Sequence, residues 1–240
     1  MEWNIWRAPT DNDRNIRREW ERAGYNRSSP RVYESKAEQT ENGVVITADL
    51  CLAAIYLQPC LTLHAVWTIL PDGRIRADIH GERGEEFPFL PRFGLRMFLP
   101  RAFESVEYFG YGPFESYSDK HRASLLGKYE TTVTEQHEDY LRPQENSSHF
   151  GCSHLAVANL DGGCLEAVGE AFSFNTSCYT QEELAGKAHN YELKPCGSTV
   201  LCLDYKLSGI GSNSCGPQLL PQYRLEEKEF DFTIELRLSK

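Results

Sequence analysis

The sequence predicts an all-β chain built as a large antiparallel β-sandwich, and three observations carry that reading. Short runs rich in β-branched and aromatic residues recur between turn-forming clusters at intervals of about 8 to 12 residues. Helical periodicity appears only in two brief stretches, 15–23 and 180–188, so there are no helices long enough for parallel crossovers. No internal repeat, Gly/Ser linker or charge run divides the 240 residues, and one domain spanning 1–240 is expected.

The elements follow in order. Val44-Val45-Ile46-Thr47-Ala48 reads as a strand. Leu61 to Ile69 reads as another, and Pro71-Asp72-Gly73 turns it into the alternating Arg74-Ile75-Arg76-Ala77-Asp78-Ile79, a half-buried antiparallel partner. A second hairpin joins His154-Leu155-Ala156-Val157-Ala158 to Cys164-Leu165-Glu166-Ala167-Val168 through Asn159-Leu160-Asp161-Gly162-Gly163. Thr180 precedes Glu183 with the spacing of a helix capping box. Alternation returns in Phe230-Asp231-Phe232-Thr233-Ile234-Glu235-Leu236-Arg237-Leu238.

Composition narrows the function classes. A net charge of -10 repels phosphate backbones and anionic lipid, so nucleic acid is not an expected partner. No run approaches the ~20 apolar residues that span a bilayer, and a membrane is not expected either. The opening Met1-Glu2-Trp3-Asn4 has neither a basic n-region nor an apolar h-region, which points to a cytoplasmic protein. The eight cysteines are scattered singly without a Cys-x-x-Cys pair, so they read as free thiols rather than a disulfide framework or a zinc finger.

Ligand-type residues cluster in His149-x-x-Cys152-x-His154, where a strand would turn Cys152 and His154 to one face. A third ligand and an orienting shell are missing from the motif. Asp11-Asn12-Asp13 resembles part of a calcium loop but lacks its Gly and distal Glu. No metal is assigned. His121, His137 and His189 could move protons, and Glu115, Asp119, Glu138, Glu145 and Glu182 supply carboxylates. There is no Gly-x-Ser-x-Gly elbow and no Gly-rich phosphate loop. Tyr108, Tyr111, Phe114 and Tyr117 are rings that could stack on a sugar or pack in the interior.

Three turn-rich stretches stand out: Trp6-Arg7-Ala8-Pro9-Thr10-Asp11-Asn12-Asp13, Tyr108 to Asp119, and Tyr140-Leu141-Arg142-Pro143-Gln144-Glu145-Asn146. Singly, each reads as a loop with packed rings or a surface Asx-turn. Together, WRAPTDND, YFGYGPFESYSDK, YLRPQENSSHFGC, FSFNTSCYTQEEL with His189 beyond, and LSGIGSNSCGP occur in the same order as in the C-terminal small-chain domain of glycoside hydrolase family 2 β-galactosidases. The chain resembles that domain over nearly its whole length.

The resemblance implies a β-supersandwich of the galactose-mutarotase type beside a TIM barrel that supplies both glutamates which break the bond. No catalytic residue is therefore expected in this chain, and no cofactor; the parent family's Mg and Na ions would be bound by other domains. The implied partners are the remaining domains of the β-galactosidase and the galactoside, with a second copy of the chain as a further one. Two loops would complete the sugar pocket. One follows the Asp-Asn-Asp motif and contributes Asp13, Arg14 and Asn15; the other contributes Asn213, Ser214, Cys215 and Gly216. In some members a Trp on the late loop covers galactose, where this chain has Cys215 or its neighbour. Family domains also carry strands before WRAPTDND, whereas this chain starts almost on it. The reading expects either missing strands or a piece of a longer chain. The alternatives are a freestanding mutarotase, which needs a His and a Glu facing across a groove, and a carbohydrate-binding module without catalysis.

Overall fold

The computed structural model describes residues 1–239. Its strands are β1 (Glu2–Asn4), β2 (Ser29–Thr40), β3 (Gly43–Ala53), β4 (Leu61–Ile69), β5 (Arg74–Arg83) and β6 (Arg92–Pro100), followed by β7 (Ser105–Gly112), β8 (Leu125–Thr132), β9 (His149–Ala158), β10 (Cys164–Ser177), β11 (Ser198–Leu207) and β12 (Glu229–Ser239). Two short α-helices, α1 (Arg17–Ala23) and α2 (Gln181–Gly186), lie between them. Both are shorter than the sequence pattern suggests, with Ile16 and Thr180 standing as N-caps outside the helices. Thr180 does cap α2, accepting from the Glu183 N–H at 3.1 Å.

The β4–β5 pair has the register the alternation predicts, Ile69 opposite Ile75 and Leu61 opposite Arg83. Its inward positions Leu61, Leu63, Ala65, Ala77 and Ile79 are buried. All pairings are antiparallel, in the order β1-β6-β11-β10-β12-β5-β4-β3-β2, with β9, β7 and β8 continuing from the other edge of β10.

β10 is the branch. Its first half, from Cys164 to Gly169, pairs with β12, and its second, from Ser173 to Ser177, pairs with β11. Between the halves Ala171 takes φ 51° and the ladder to β9 shifts register. Such a bulge bends the strand, so the two arms fold over one another.

Rings fill the space between the arms. Trp3 lies 6.2 Å from Phe93, Phe93 4.7 Å from Phe230, and Phe230 5.1 Å from Tyr205, measured between centroids. Gly81 sits opposite Phe230 in the ladder, and a Cβ there would come within 2.5 Å of the ring. Only a residue without a side chain lets the ring lie flat on the strand. A second ring group, Trp6, Trp20 and Phe89, packs α1 against the sheet, with Trp20 Nε1 donating to the Phe89 carbonyl at 2.8 Å.

Two expectations are corrected. The Tyr108 to Asp119 stretch is not all loop, because Tyr108 to Gly112 complete β7. Cys152 and His154 do not share a face: Cys152 is buried, but the register shift beside it passes the inward alternation to Leu155 and Val157.

Candidate functional site

The opening motif folds around Asp13. Residues 11–13 form one 3-10 turn, and the Asp13 carboxylate accepts from the Thr10 N–H at 2.9 Å. The same carboxylate takes two bonds from Arg7, Nε to Oδ2 at 3.1 Å and Nη2 to Oδ1 at 2.8 Å. Arg7 is 0 % exposed, lies over the Trp20 ring at 5.3 Å, and donates to the carbonyls of Ser208 and Gly209. A buried guanidinium is tolerable only with its donors met, and here those partners join residues 7–13 to the start of the late loop.

More bonds tighten that junction. Asn12 Nδ2 donates to the Ile210 carbonyl at 2.7 Å, and Asn213 Nδ2 donates back to the Asn12 carbonyl at 3.0 Å. Arg14 lies against Gly216, where a Cβ would stand 2.9 Å from its Nη2. The structure therefore brings together the two loops that the resemblance pairs, about 200 residues apart in the chain. Asp13 and Asn213 face inward and hold the turns, while Arg14, Asn15, Ser214 and Cys215 are exposed and Gly216 partly so. Cys215 has φ 64° and is exposed. Two clefts flank the junction. One, of about 470 Å³, touches Asn12, Asn15, Glu19, Phe87 and Asn213; the other, of about 350 Å³, touches Thr10, Lys120, Tyr140, Gln144 and Ser214.

A second buried charge group supports the junction from beneath. Arg92 donates to Asp204 at 2.5 and 3.0 Å, to Glu145 at 3.2 Å and to Asn175 at 2.8 Å. Burial pushes the Glu145 and Asp204 carboxyls above the usual carboxylate range, with Arg92 opposing the shift. Glu145 also donates its backbone N–H to the Ala8 carbonyl at 2.9 Å, which ties this group to the opening motif.

Four of the five carboxylates named from sequence are occupied. Glu115 accepts from Lys120, Tyr140 and the Ser147 N–H, Glu145 from Arg92, and Glu182 from Arg96. Asp119 accepts from three consecutive backbone N–H groups of the late loop. Glu138 is exposed. His121 packs between Tyr111 and Phe150, His137 against Tyr179, and His189 on Tyr191. His149 stacks on Tyr108 and Phe174, and burial lowers its pKa to about 4. Of the candidate sugar-stacking rings, Tyr108 and Tyr117 are interior, while Phe114 is exposed. All eight cysteines are free thiols. Among the described residues no group of three or more His, Cys, Asp or Glu side chains could hold a metal.

Sequence reasoning missed the roles of Arg7, Arg92 and Asp119. Arg7 and Asp119 lie inside the quoted motifs, where a charged residue among rings and turn formers is the available signal. Arg92 has none.

Fold and junction define an antiparallel β module that presents two joined loops at one edge. The chain belongs to the beta galactosidase small chain family, whose model matches residues 1–236. It is 49% identical over 240 residues to the beta-galactosidase of Actinobacillus pleuropneumoniae, covering 100% of this chain and 24% of that protein. With the beta-galactosidase of Staphylococcus xylosus it shares 39% over 237 residues, 98% of this chain and 24% of that one. The chain thus spans about a quarter of the length of these curated relatives. Among solved structures it resembles a galactose 1-epimerase from Lactobacillus acidophilus, with TM-score 0.43 and 8% identity over 86% of this chain and 66% of that one.

Proposed function

We propose that this chain serves as the small-chain domain of a β-galactosidase, where it shapes the galactoside pocket and leaves bond breaking to glutamates in the remaining domains. The observation that carries the reading is the junction, in which two distant loops are bonded to each other and turn Arg14, Asn15, Ser214, Cys215 and Gly216 outward. The names of the relatives, and the quarter of their length that this chain spans, support it. The partners are then the other domains and a terminal galactoside, in the cytoplasm. A retaining glycosidase needs two carboxyl groups about 5–5.5 Å apart and free to reach the sugar. Glu115, Asp119, Glu145 and Glu182 are instead held by structural partners.

The test is Cys215→Trp in the intact enzyme. A ring at the loop tip should cover the apolar face of the sugar and lower KM for a galactoside about 2- to 10-fold. An unmoved KM would sink the wall assignment.

A further inference from the structure

We infer that Asp119 is the positioning residue for the sugar-facing loop, acting on the pocket through backbone N–H groups and not by contact with substrate. The inference rests on the reading above that residues 213–216 form a wall of that pocket.

Asp119 is itself held in a tight turn. Tyr117 and Lys120 exchange both backbone hydrogen bonds, at 2.9 and 3.0 Å, which makes residues 117–120 a tight turn with Asp119 near its tip. Tyr117 is buried with Leu207 and Ile210 in an apolar cluster of its own, and Lys120 is paired with Glu115. The turn is therefore pinned from below and from one side.

Its carboxylate meets the late loop head on. Oδ1 accepts from Ile210 N at 2.9 Å, and Oδ2 accepts from Gly211 N at 2.9 Å and Ser212 N at 2.7 Å. Successive N–H groups converging on one point form an anion-binding nest, and here the anion is a side chain of the same molecule. Bonds to an ionised acceptor are roughly twice as strong as neutral ones, and three on adjacent residues fix the loop's course. Cys215 follows only three residues after Ser212. Gly209 completes the fit, since a Cβ there would lie 2.3 Å from Asp119 Oδ2. Bonds from Asn12 to Ile210 and from Asn213 to Asn12 fix where the loop joins the opening motif, and turns within it bond Ser214 N to the Gly211 carbonyl at 3.3 Å and Gly216 N to the Asn213 carbonyl at 3.4 Å. Asp119 fixes its path between those points.

Two substitutions remove the clamp by different routes. Asp119→Asn keeps the shape but replaces one acceptor oxygen by an N–H₂ that faces a donor. Gly209→Ala leaves Asp119 in place and drives its carboxylate off the nest. Both are made in the full-length enzyme and checked for an intact thermal transition. The loop is read by fluorescence anisotropy of a thiol-reactive dye on Cys215, in a background where Cys196, the other exposed thiol of this chain, and every exposed thiol of the remaining domains are replaced by Ser. Kinetics with a chromogenic galactoside are measured on unlabelled enzyme.

The expected result is lower anisotropy in both variants, with KM raised about 10-fold and kcat changed less than about 2-fold, as when binding shared by ground and transition state is lost. Lower anisotropy with unchanged kinetics would support the clamp and overturn the wall reading. Unchanged anisotropy in two folded variants would overturn the inference itself.

Discussion

Arg92 and Phe93 are neighbours on β6, and they belong to two regions held in different ways. Phe93 is fully buried between Trp3 and Phe230, where stabilisation comes from apolar area and ring contacts that no single bond controls. Arg92 is as deeply buried, yet it is held by bonds to Asp204, Glu145 and Asn175, each with a required direction. The first region tolerates a swap that keeps volume. The second does not tolerate the loss of one member, because the partners left behind are buried charges.

The largest expected effect tests that contrast directly. Arg92→Met should cost about 3–5 kcal/mol at pH 7 by stranding two carboxylates, and Phe93→Ala should cost a similar amount by opening a cavity. The losses then part company with pH. As pH falls from 7 toward 4, the stranded carboxyls take up protons and the Arg92→Met deficit relative to the parent chain shrinks, while the Phe93→Ala deficit stays level. Denaturant melts of both variants at several pH values measure this, and parallel deficits would break the distinction.

His149 sharpens the other side, because it is a titratable group placed among rings. Its folded pKa of about 4 lies below the 6.5 of a free imidazole, so the fold holds it neutral while the unfolded chain takes up the proton. Stability contributed by the neutral ring is complete above pH 6.5, falls as pH drops toward 4, and is constant below that. The whole change is about 3 kcal/mol. In His149→Phe that part of the pH slope should vanish; a variant with the parent's slope would place its origin elsewhere.

A smaller effect separates the regions in space. Asn12→Ala removes one cross-loop bond and should cost about 1 kcal/mol. Hydrogen exchange should quicken at residues 210–216 and stay unchanged in β4 and β5. Uniform quickening would mean that the junction and the sheet open together.

The sheet was legible where one face is wet and the other dry, as in β4, β5 and β12. β2 was invisible because all twelve of its residues are exposed, so no alternation marks it. β7 was hidden behind Gly110, Gly112 and Pro113, which read as turn formers although the ladder runs through both glycines. For the site, family motifs marked the two loops but not what joins them. A single Asp in a chain with 35 acidic residues carries no sign that three N–H groups from residues 210–212 will converge on it.

The bonds from Arg7 to Ser208 and Gly209 span 201 and 202 residues. At about 5–20 residues per second, a ribosome takes about 10 to 40 s to make the second partner after the first. Hairpins such as β4–β5 close in microseconds once their residues are available. The junction of the two loops is therefore assembled late in synthesis, with β12 and the segment before it still to come. Until then Arg7 and Asp13 lack the late-loop segment that buries them, and a chain interrupted before residue 208 would hold β1 to β11 and none of the late loop.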